Sequence, residues 1–346
     1  MRVIQPFITM RKQSTLLTLL FLVPALVLLN ACKNDNDKNK NEISENVFTE
    51  AGVRMIPIET PAGKFSVWTK KVGDNPSIKV LLLHGGPGGN YMAFAPFEEG
   101  FGIEGFEFYY YDQLGSYMSD KPTDSSLWTT ERFVEEVEQV RKALGLNKDN
   151  FYLLGHSWGG ILAIEYALKY QDSMKALIIS NMMSSCPDYG LYAKNVLAKQ
   201  MDPVVLDTIR AIEARQDFGN PRYMELLIPN FYAKHVCRIQ PFPAMLDSMF
   251  AHLNGEVYTI MQGPSEFGVS GRLANWDRKA DLKKIKVPTL TIGGTHDTMD
   301  PEHMKWMATQ VQNGTSLICP NGSHCSMWDD STNYFNGLVS FIKKQK

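Results

Sequence analysis

Ser157 stands in a short segment whose spacing is typical of a catalytic nucleophile. It is the central residue of the pattern G-x-S-x-G at residues 155–159, which follows an apolar run and precedes the helix-forming run 161–170. In a strand-to-helix turn of this kind the serine hydroxyl projects above the edge of a sheet, where it can attack a carbonyl carbon. The segment therefore predicts Ser157 as the nucleophile, with a plain glycine-rich turn as the alternative.

Asp297 and His324 are the candidate partners of this serine. A serine nucleophile needs a base, the base needs an orienting carboxylate, and hydrolases with this turn carry them in the order Ser, Asp or Glu, His. Asp297 follows the apolar run 287–292, and His324 follows the run 316–319. Both side chains are therefore expected at the carboxyl end of the sheet, beside Ser157. We predict that His324 acts as general base and then acid, and that Asp297 orients it.

Residues 84–89, His-Gly-Gly-Pro-Gly-Gly, form a glycine-rich segment directly after the first buried apolar run. Such a loop can bring backbone N–H groups close to a substrate carbonyl and complete an oxyanion hole together with the N–H of Trp158. A phosphate-binding loop is the alternative. It is disfavoured because the segment lacks both the Lys-Ser/Thr ending and the G-x-G-x-x-G spacing.

The other candidate polar side chains have structural explanations. Asp300 precedes Pro301 and is predicted to be a helix N-cap. No spacing of His, Cys and Asp resembles a metal site, so no metal and no cofactor are predicted. The remaining histidines of the chain's second half are predicted to be structural or exposed; they are His235, His252, His296 and His303.

Apolar runs that alternate with helical patterns predict an α/β fold with a mostly parallel central sheet. Residues 53–72 are expected to form an antiparallel hairpin at the start of the sheet. Residues 183–275 contain no convincing buried strand and are predicted to be a helical cap. This cap interrupts a core made of residues 48–182 and 276–346. The predicted buried strands are 78–83, 106–111, 151–154, 176–180, 287–292 and 316–319.

The first 47 residues are predicted to lie outside this fold. Residues 16–29 form an apolar run after Arg11 and Lys12, which is typical of an export signal and short for a membrane span. The run ends in Leu-Asn-Ala-Cys at residues 29–32, which resembles the lipobox of bacterial lipoproteins. The resemblance implies removal of residues 1–31, lipid on Cys32, and a membrane-anchored protein on the periplasmic face or cell surface. An ordinary signal peptide with an incidental cysteine is the alternative, and residues 32–47 are predicted to be a polar tether.

The charge composition disfavours one class of binding partner, nucleic acid. The chain has 35 Lys and Arg against 37 Asp and Glu, a formal net charge of −2, so it has no basic field and no nucleic-acid partner is predicted. An exported setting permits disulfides, and the pairs Cys186–Cys237 and Cys319–Cys325 are conceivable. Buried free thiols are the alternative.

Several segments together resemble the proline iminopeptidases, a family of α/β-hydrolases. The resemblance implies a serine exopeptidase that releases an N-terminal residue, preferentially proline, from a peptide or amino-acid amide with a free N-terminus. It implies Ser157, Asp297 and His324 as the triad, and the N–H groups of Gly86 and Trp158 as the oxyanion hole. It further implies Glu266 as the carboxylate that binds the substrate amine. The matching segments are HGGPGG at 84–89, YDQLGSYMSD at 111–120, GHSWGG at 155–160, YTIMQGPSEFGVSGRLANWD at 258–277, GGTHDTMDP at 293–301 and NGSHCSMWDD at 321–330.

The chain departs from the family pattern at two places. Many family members carry a second acidic residue directly after the triad Asp, where this chain has Thr298; Asp300 or Glu302 could compensate. The usual D-Q-R-G-x-G-x-S loop reads DQLGSYMS at residues 112–119, without the Arg and one Gly. A broader aminopeptidase or amino-acid amidase, an esterase of the same fold, and a non-catalytic membrane-tethered binding protein therefore remain alternatives.

Overall fold

The computed structural model describes residues 52–345, so the predicted signal peptide, Cys32 and the tether lie outside the described residues. The described part contains a sheet of eight strands in the order β1-β2-β4-β3-β5-β6-β7-β8. The strands are β1 (Val53–Thr60), β2 (Gly63–Val72), β3 (Lys79–Leu83), β4 (Glu107–Asp112), β5 (Phe151–His156), β6 (Ala176–Ser180), β7 (Thr289–Gly294) and β8 (Gly314–Cys319).

The sheet is antiparallel at one edge and parallel elsewhere. Strands β1 and β2 form the predicted hairpin and β2 pairs antiparallel with β4, whereas every pair from β4 to β8 is parallel. All residues of β4, β5, β6 and β7 are buried, which agrees with their apolar composition because a parallel sheet is covered on both faces. The predicted α/β fold with a mostly parallel sheet is confirmed.

Three strands end later than the apolar pattern predicts. β4 continues to Asp112, β5 continues to His156, and β7 begins after Pro288 and continues to Gly294. Backbone pairing with neighbouring strands explains the extensions, since His156 pairs with Ser180 and Gly294 pairs with Cys319. Hydropathy alone does not detect such residues, because a ladder hydrogen bond does not require an apolar side chain.

Helices cover both faces of the sheet. One face packs against α2, α3 and α9, and the other packs against α1 and α11. The helices are α1 (Phe97–Gly102), α2 (Thr130–Ala143), α3 (Trp158–Tyr170), α4 (Cys186–Tyr192), α5 (Pro203–Ala214), α6 (Pro221–Leu227), α7 (Ala244–Ala251), α8 (Gly255–Met261), α9 (Pro301–Gln310), α10 (Ser326–Asp329) and α11 (Ser331–Lys344).

The segment between β6 and β7 is built from helices α4 to α8. Asp202 and Asn220 cap α5 and α6, and each is followed by a proline at the first helical position, where proline is favoured. These helices enclose an apolar cluster of their own that includes Ile209, Leu227 and Phe231. Whether residues 183–275 form a separate domain stays a prediction.

The four cysteines of the described residues are buried and free. The structure therefore has the buried thiols that the sequence leaves as an alternative, and neither conceivable disulfide. Within residues 52–345, none of the helices has the length and apolar character required to cross a membrane.

Candidate active site

Ser157 occupies a tight turn between the end of β5 and the start of α3. Its φ is 56°, a left-handed conformation that is uncommon for residues other than glycine. The flanking glycines are required by space. A Cβ at Gly155 would lie 1.9 Å from the carbonyl oxygen of Gly159, and one at Gly159 would lie 2.0 Å from that of Leu83. The sequence thus builds the strained strand-turn-helix that the G-x-S-x-G pattern predicts.

His324 and Asp297 lie on the loops that follow β8 and β7, and the structure brings them together. His324 Nδ1 lies 2.8 Å from Asp297 Oδ1, and both side chains are buried. Burial lowers the pKa of His324, but the negative charge and hydrogen bond of Asp297 outweigh it and leave that pKa above its ordinary value. Among the described residues, His324 Nε2 has no hydrogen-bond partner, so this nitrogen is available to take a proton from a reacting group.

The loop that carries His324 is held by the helical segment. The backbone N–H of His324 donates to the carbonyl of His235 at 2.9 Å, and that of Cys325 donates to Val236 at 2.8 Å. His235 in turn lies with Nδ1 2.9 Å from the carbonyl oxygen of His296. His235 therefore has a structural role, as predicted, and it links the loops of the two triad partners.

Asn181 is a buried site residue that the sequence analysis did not single out. Its Nδ2 donates to Asp297 Oδ2 at 2.7 Å and to the carbonyl of Ser323 at 3.1 Å. Its φ is 53°, a region that asparagine tolerates better than most residues. One signal could have found it: a polar residue directly follows the buried strand β6, at the sheet edge where Asp297 and His324 also lie.

Thr298 lies against the triad rather than on a substrate-binding surface. Its hydroxyl donates to Asp297 Oδ1 at 3.3 Å and lies 3.1 Å from His324 Nδ1. The residues that could compensate for the missing acid are placed elsewhere. Asp300 caps α9 as predicted, and Glu302 is paired with Lys305 on the surface. None of Thr298, Asp300 and Glu302 lines the cavity described below.

The glycine-rich loop lies directly against Ser157. A Cβ at Gly85 would be 2.9 Å from the Cβ of Ser157, and a Cβ at Gly86 would be 2.6 Å from the backbone nitrogen of Gly89. Gly86 has a φ of 112°, which only glycine adopts readily. Trp158 is the first residue of α3, where backbone N–H groups lack helical partners and favour negative charge. Both predicted oxyanion donors are therefore placed on the two segments that flank Ser157.

A cavity of about 500 Å³ opens at this point, and Ser157, His324 and Glu266 all line it. Within residues 52–345, no lysine or arginine contributes to its wall. Most of the wall is apolar and comes from the helical segment and the loops around it: Met224, Ile228, Val236, Phe242, Leu246, Met249, Phe250, Leu253 and Met327.

Glu266 is held in this cavity by tyrosines. Tyr258 donates its hydroxyl hydrogen to Glu266 Oε1 at 2.6 Å, and the backbone N–H of Glu266 donates to the hydroxyl of Tyr232 at 3.1 Å. The hydroxyl of Tyr189 donates to the Glu266 carbonyl. Burial is the main cause that raises the pKa of Glu266, while His324 and the Tyr258 hydrogen bond oppose it. A buried carboxylate on an apolar wall is suited to bind a cation.

His303 and His252 are placed away from the reacting groups, whereas His156 lines the cavity beside Ser157, with its ring 5.0 Å from that of His324. His303 Nε2 contacts the hydroxyl of Ser184 at 2.9 Å, and His252 is exposed with its ring 4.3 Å from that of Tyr117. In the part of the chain that the structure describes, no group of His, Cys, Asp and Glu side chains could hold a metal ion.

The chain was compared with known families, proteins and structures. A family model described as the alpha/beta hydrolase fold matches residues 79–331. A proline iminopeptidase of Flavobacterium johnsoniae is 62% identical over 288 residues, which cover 83% of this chain and 97% of that protein. A second one, of Elizabethkingia meningoseptica, is 58% identical over 291 residues, or 84% of this chain and 97% of its own length. The crystal structure of a proline iminopeptidase from Mycobacterium smegmatis aligns with a TM-score of 0.75 at 28% identity, over 85% of this chain and 98% of the other.

Proposed function

The chain belongs to the proline iminopeptidases of the α/β-hydrolase fold, and we propose that it releases N-terminal proline from peptides through an acyl-enzyme on Ser157. The observation that carries the proposal is one cavity that contains the serine, an Asp-paired histidine and a buried carboxylate. The substrate class is a peptide or amino-acid amide with a free N-terminus.

The reaction begins with proton transfer from Ser157. His324 Nε2 takes the hydroxyl proton while Oγ forms a bond to the scissile carbonyl carbon. Asp297 holds Nδ1–H of the imidazole and stabilises its protonated form. When the tetrahedral intermediate collapses, the C–N bond breaks and His324 gives its proton to the leaving amine. Water, deprotonated by His324, then attacks the acyl carbon and frees proline and Ser157.

Two backbone groups stabilise the charge that develops on the substrate oxygen. We assign this role to the N–H groups of Gly86 and Trp158, which lie on the two segments beside Ser157. The start of α3 adds its positive dipole end at the same place. Such donors act on the oxyanion more strongly than on the ground-state carbonyl, so they accelerate the chemical step.

Glu266 makes the enzyme an exopeptidase in this proposal. Its carboxylate accepts charge-assisted hydrogen bonds from the protonated amine of the first residue, which places the adjacent carbonyl against Ser157. An internal peptide bond has no such amine, and binding it would leave Glu266 buried without a cation. The apolar wall accommodates the pyrrolidine ring.

The proposal is tested with proline naphthylamide and the soluble form that begins at residue 48. The wild-type protein should cleave this substrate, and Ser157→Ala should reduce the rate to background. Glu266→Gln should reduce kcat/KM for proline naphthylamide by roughly 10- to 100-fold, the range of a lost hydrogen bond to a charged group. N-acetylproline esters, which lack the cation, serve as the control. Hydrolysis of acyl esters without any cleavage of free-amine substrates would instead favour the esterase alternative.

A broader aminopeptidase is a second candidate because the cavity, at about 500 Å³, is large for a pyrrolidine ring. Its apolar wall would also accept larger apolar side chains. A panel of amino-acid naphthylamides separates the two, since strict proline preference predicts a kcat/KM for proline well above those for leucine and phenylalanine. Similar values across the panel would establish the broader activity. If a fluorophosphonate probe, which reacts with catalytic serines, did not label the wild-type protein, the non-catalytic alternative would be supported.

We also propose that the enzyme is an exported lipoprotein. The support is the sequence of residues 1–32, with its basic start, its apolar run and the Leu-Asn-Ala-Cys ending. Acyl chains on Cys32 would hold the enzyme at a membrane surface, since each buried methylene contributes ~0.8 kcal/mol. The full-length chain should incorporate an alkyne-tagged fatty acid and sediment with membranes, and Cys32→Ser should do neither. Protease treatment of intact cells distinguishes the cell surface from the periplasmic face.

A further inference from the structure

Gln113 occupies a buried position between the two segments that flank Ser157. Its Nε2 donates to the carbonyl of His84 at 3.1 Å, and its Oε1 accepts from the indole Nε1–H of Trp158 at 2.8 Å. The indole N–H can only donate, so this bond fixes the orientation of the amide. Gln113 therefore contacts both the first residue of the glycine-rich loop and the first residue of α3.

The backbone of Gln113 adds a third hydrogen bond to the same loop. Its N–H donates to His84 Nε2 at 3.1 Å, while His84 Nδ1 lies 2.9 Å from the carbonyl oxygen of Gly85. Burial lowers the pKa of His84 to about 4, which keeps the imidazole neutral and its Nε2 able to accept. Asp112, the preceding residue, holds the segment that follows the loop, because its Oδ1 accepts from the N–H of Tyr91 at 2.7 Å.

Gln113 joins the glycine-rich loop to the turn at the start of α3, and these two segments are packed so closely that neither can move toward the other. A Cβ at Gly159 would lie 2.9 Å from the carbonyl oxygen of His84, and one at Gly85 would lie 2.9 Å from the Cβ of Ser157. Gln113, His84 and Trp158 are each at most 1% exposed. Water therefore does not compete for these hydrogen bonds, which act where the effective dielectric constant is low.

We propose that Gln113 is a positioning residue that fixes the separation between the oxyanion donors of Gly86 and Trp158. The inference rests on the proposed function, because it acts through donors that the proposed acyl transfer uses. Gln113 does not touch the substrate. It holds one donor segment through the His84 carbonyl and the other through the Trp158 indole, so the N–H groups are in place before charge develops on the substrate oxygen.

The test separates oxyanion stabilisation from amine binding. Gln113→Met keeps the length and apolar stem of the side chain and removes both side-chain hydrogen bonds. We expect kcat for proline naphthylamide to fall by roughly 10- to 100-fold with little change in KM, since loss of a whole oxyanion donor costs about 100- to 1,000-fold. Affinity for the boronic acid analogue of proline, which places a negative oxygen in the hole, should fall in parallel. Affinity for pyrrolidine, which has the amine and no carbonyl, should remain.

A control and a partner variant keep the proposal falsifiable if Gln113→Met folds poorly. Gln139, which does not line the cavity, makes a similar pair of bonds: its Oε1 accepts from the N–H of Glu59 at 2.7 Å, and its Nε2 donates to the Glu59 carbonyl at 3.0 Å. Gln139→Met is therefore the control and should leave kcat and KM unchanged. Trp158→Phe removes the indole N–H together with part of the buried ring volume, and its effect on kcat should be much less than additive with that of Gln113→Met. Wild-type kcat and boronate affinity in both variants would overturn the inference, whereas a wild-type enzyme inactive on every free-amine substrate would overturn the proposed function.

Discussion

Asn181 Nδ2 lies 2.7 Å from Oδ2 of Asp297, the carboxylate oxygen that does not face His324. The same amide nitrogen lies 3.1 Å from the carbonyl oxygen of Ser323, the residue before the histidine. One buried side chain thus connects the loops of both triad partners. Because the amide donates to the carboxylate oxygen that His324 does not contact, it limits the rotation of the Asp297 side chain.

Replacing Asn181 should slow the chemical step. Asn181→Gly removes the amide while glycine accepts the positive φ of 53° without strain. We expect kcat for proline naphthylamide to fall by roughly 10- to 100-fold, corresponding to a lost hydrogen bond to a charged group. Steady-state kinetics at saturating substrate measures the effect. KM should change little, because Asn181 does not line the cavity.

Gln216 offers a matched control for this substitution. It is exposed and also has a positive φ, 54°, without a contact to the site. Gln216→Gly therefore reproduces the backbone change alone and should leave kcat at the wild-type value. Equal kcat values for Asn181→Gly and the wild type would show that Asn181 does not position the triad.

The acid limb of the pH profile should report His324. The base must be neutral to accept the serine proton, and the pKa of His324 is raised above its ordinary value despite burial, because of Asp297. Activity is therefore lost as pH falls through this raised pKa, with a midpoint above about 6.5, the ordinary histidine value. An ester without an amine removes the need for amine binding by Glu266, whose charge still contributes to the raised pKa of His324. A midpoint below 6.5 in the kcat/KM profile would contradict the assignment.

Tyr258→Phe should move a second titration. The hydroxyl of Tyr258 stabilises the charged form of Glu266, so its removal raises the pKa of this carboxylate further above its ordinary value. Glu266 binds the amine only when ionised. The acid limb of kcat/KM for proline naphthylamide should therefore shift to higher pH, while activity near pH 8 changes least. The profile for an N-acetylated ester should move much less, only through the interaction of Glu266 with His324, and an equal shift with that ester would show a general disturbance of the site.

Hydrophobic runs and short motifs predicted most of the fold and the triad. The apolar strands and the capping Asp300 follow from local pattern, and the structure has the strands within two residues of the expected bounds. The chain order of Ser157, Asp297 and His324 predicts the triad, and its catalytic role stays a prediction. Asn181 escaped prediction because its partner is more than a hundred residues distant in sequence and its own neighbours carry no motif.

Thr298 shows that the direction of a loop side chain is not predicted by its position in the sequence. Its position beside Asp297 suggests a place on the amine-binding wall, but the backbone turns its hydroxyl toward Asp297 and His324. The direction of a loop side chain depends on tertiary packing and cannot be read from spacing. Glu266 is likewise assigned by resemblance alone, since no local pattern shows that the hydroxyls of Tyr258 and Tyr232 turn toward it.

The two closely packed glycines of the turn should be intolerant of even one added methyl group. In Gly159→Ala the Cβ would lie 2.0 Å from the carbonyl oxygen of Leu83, so the backbone of the turn or of β3 must shift. We expect a loss of about 1–3 kcal/mol in the free energy of unfolding, measured by urea denaturation. Gly190→Ala in α4, where no atom lies within 4 Å of the added Cβ, is the control and should gain about 0.5–1 kcal/mol from helix propensity. Equal stabilities for these two variants would contradict the contact between the turn and β3 on which the placement of Ser157 depends.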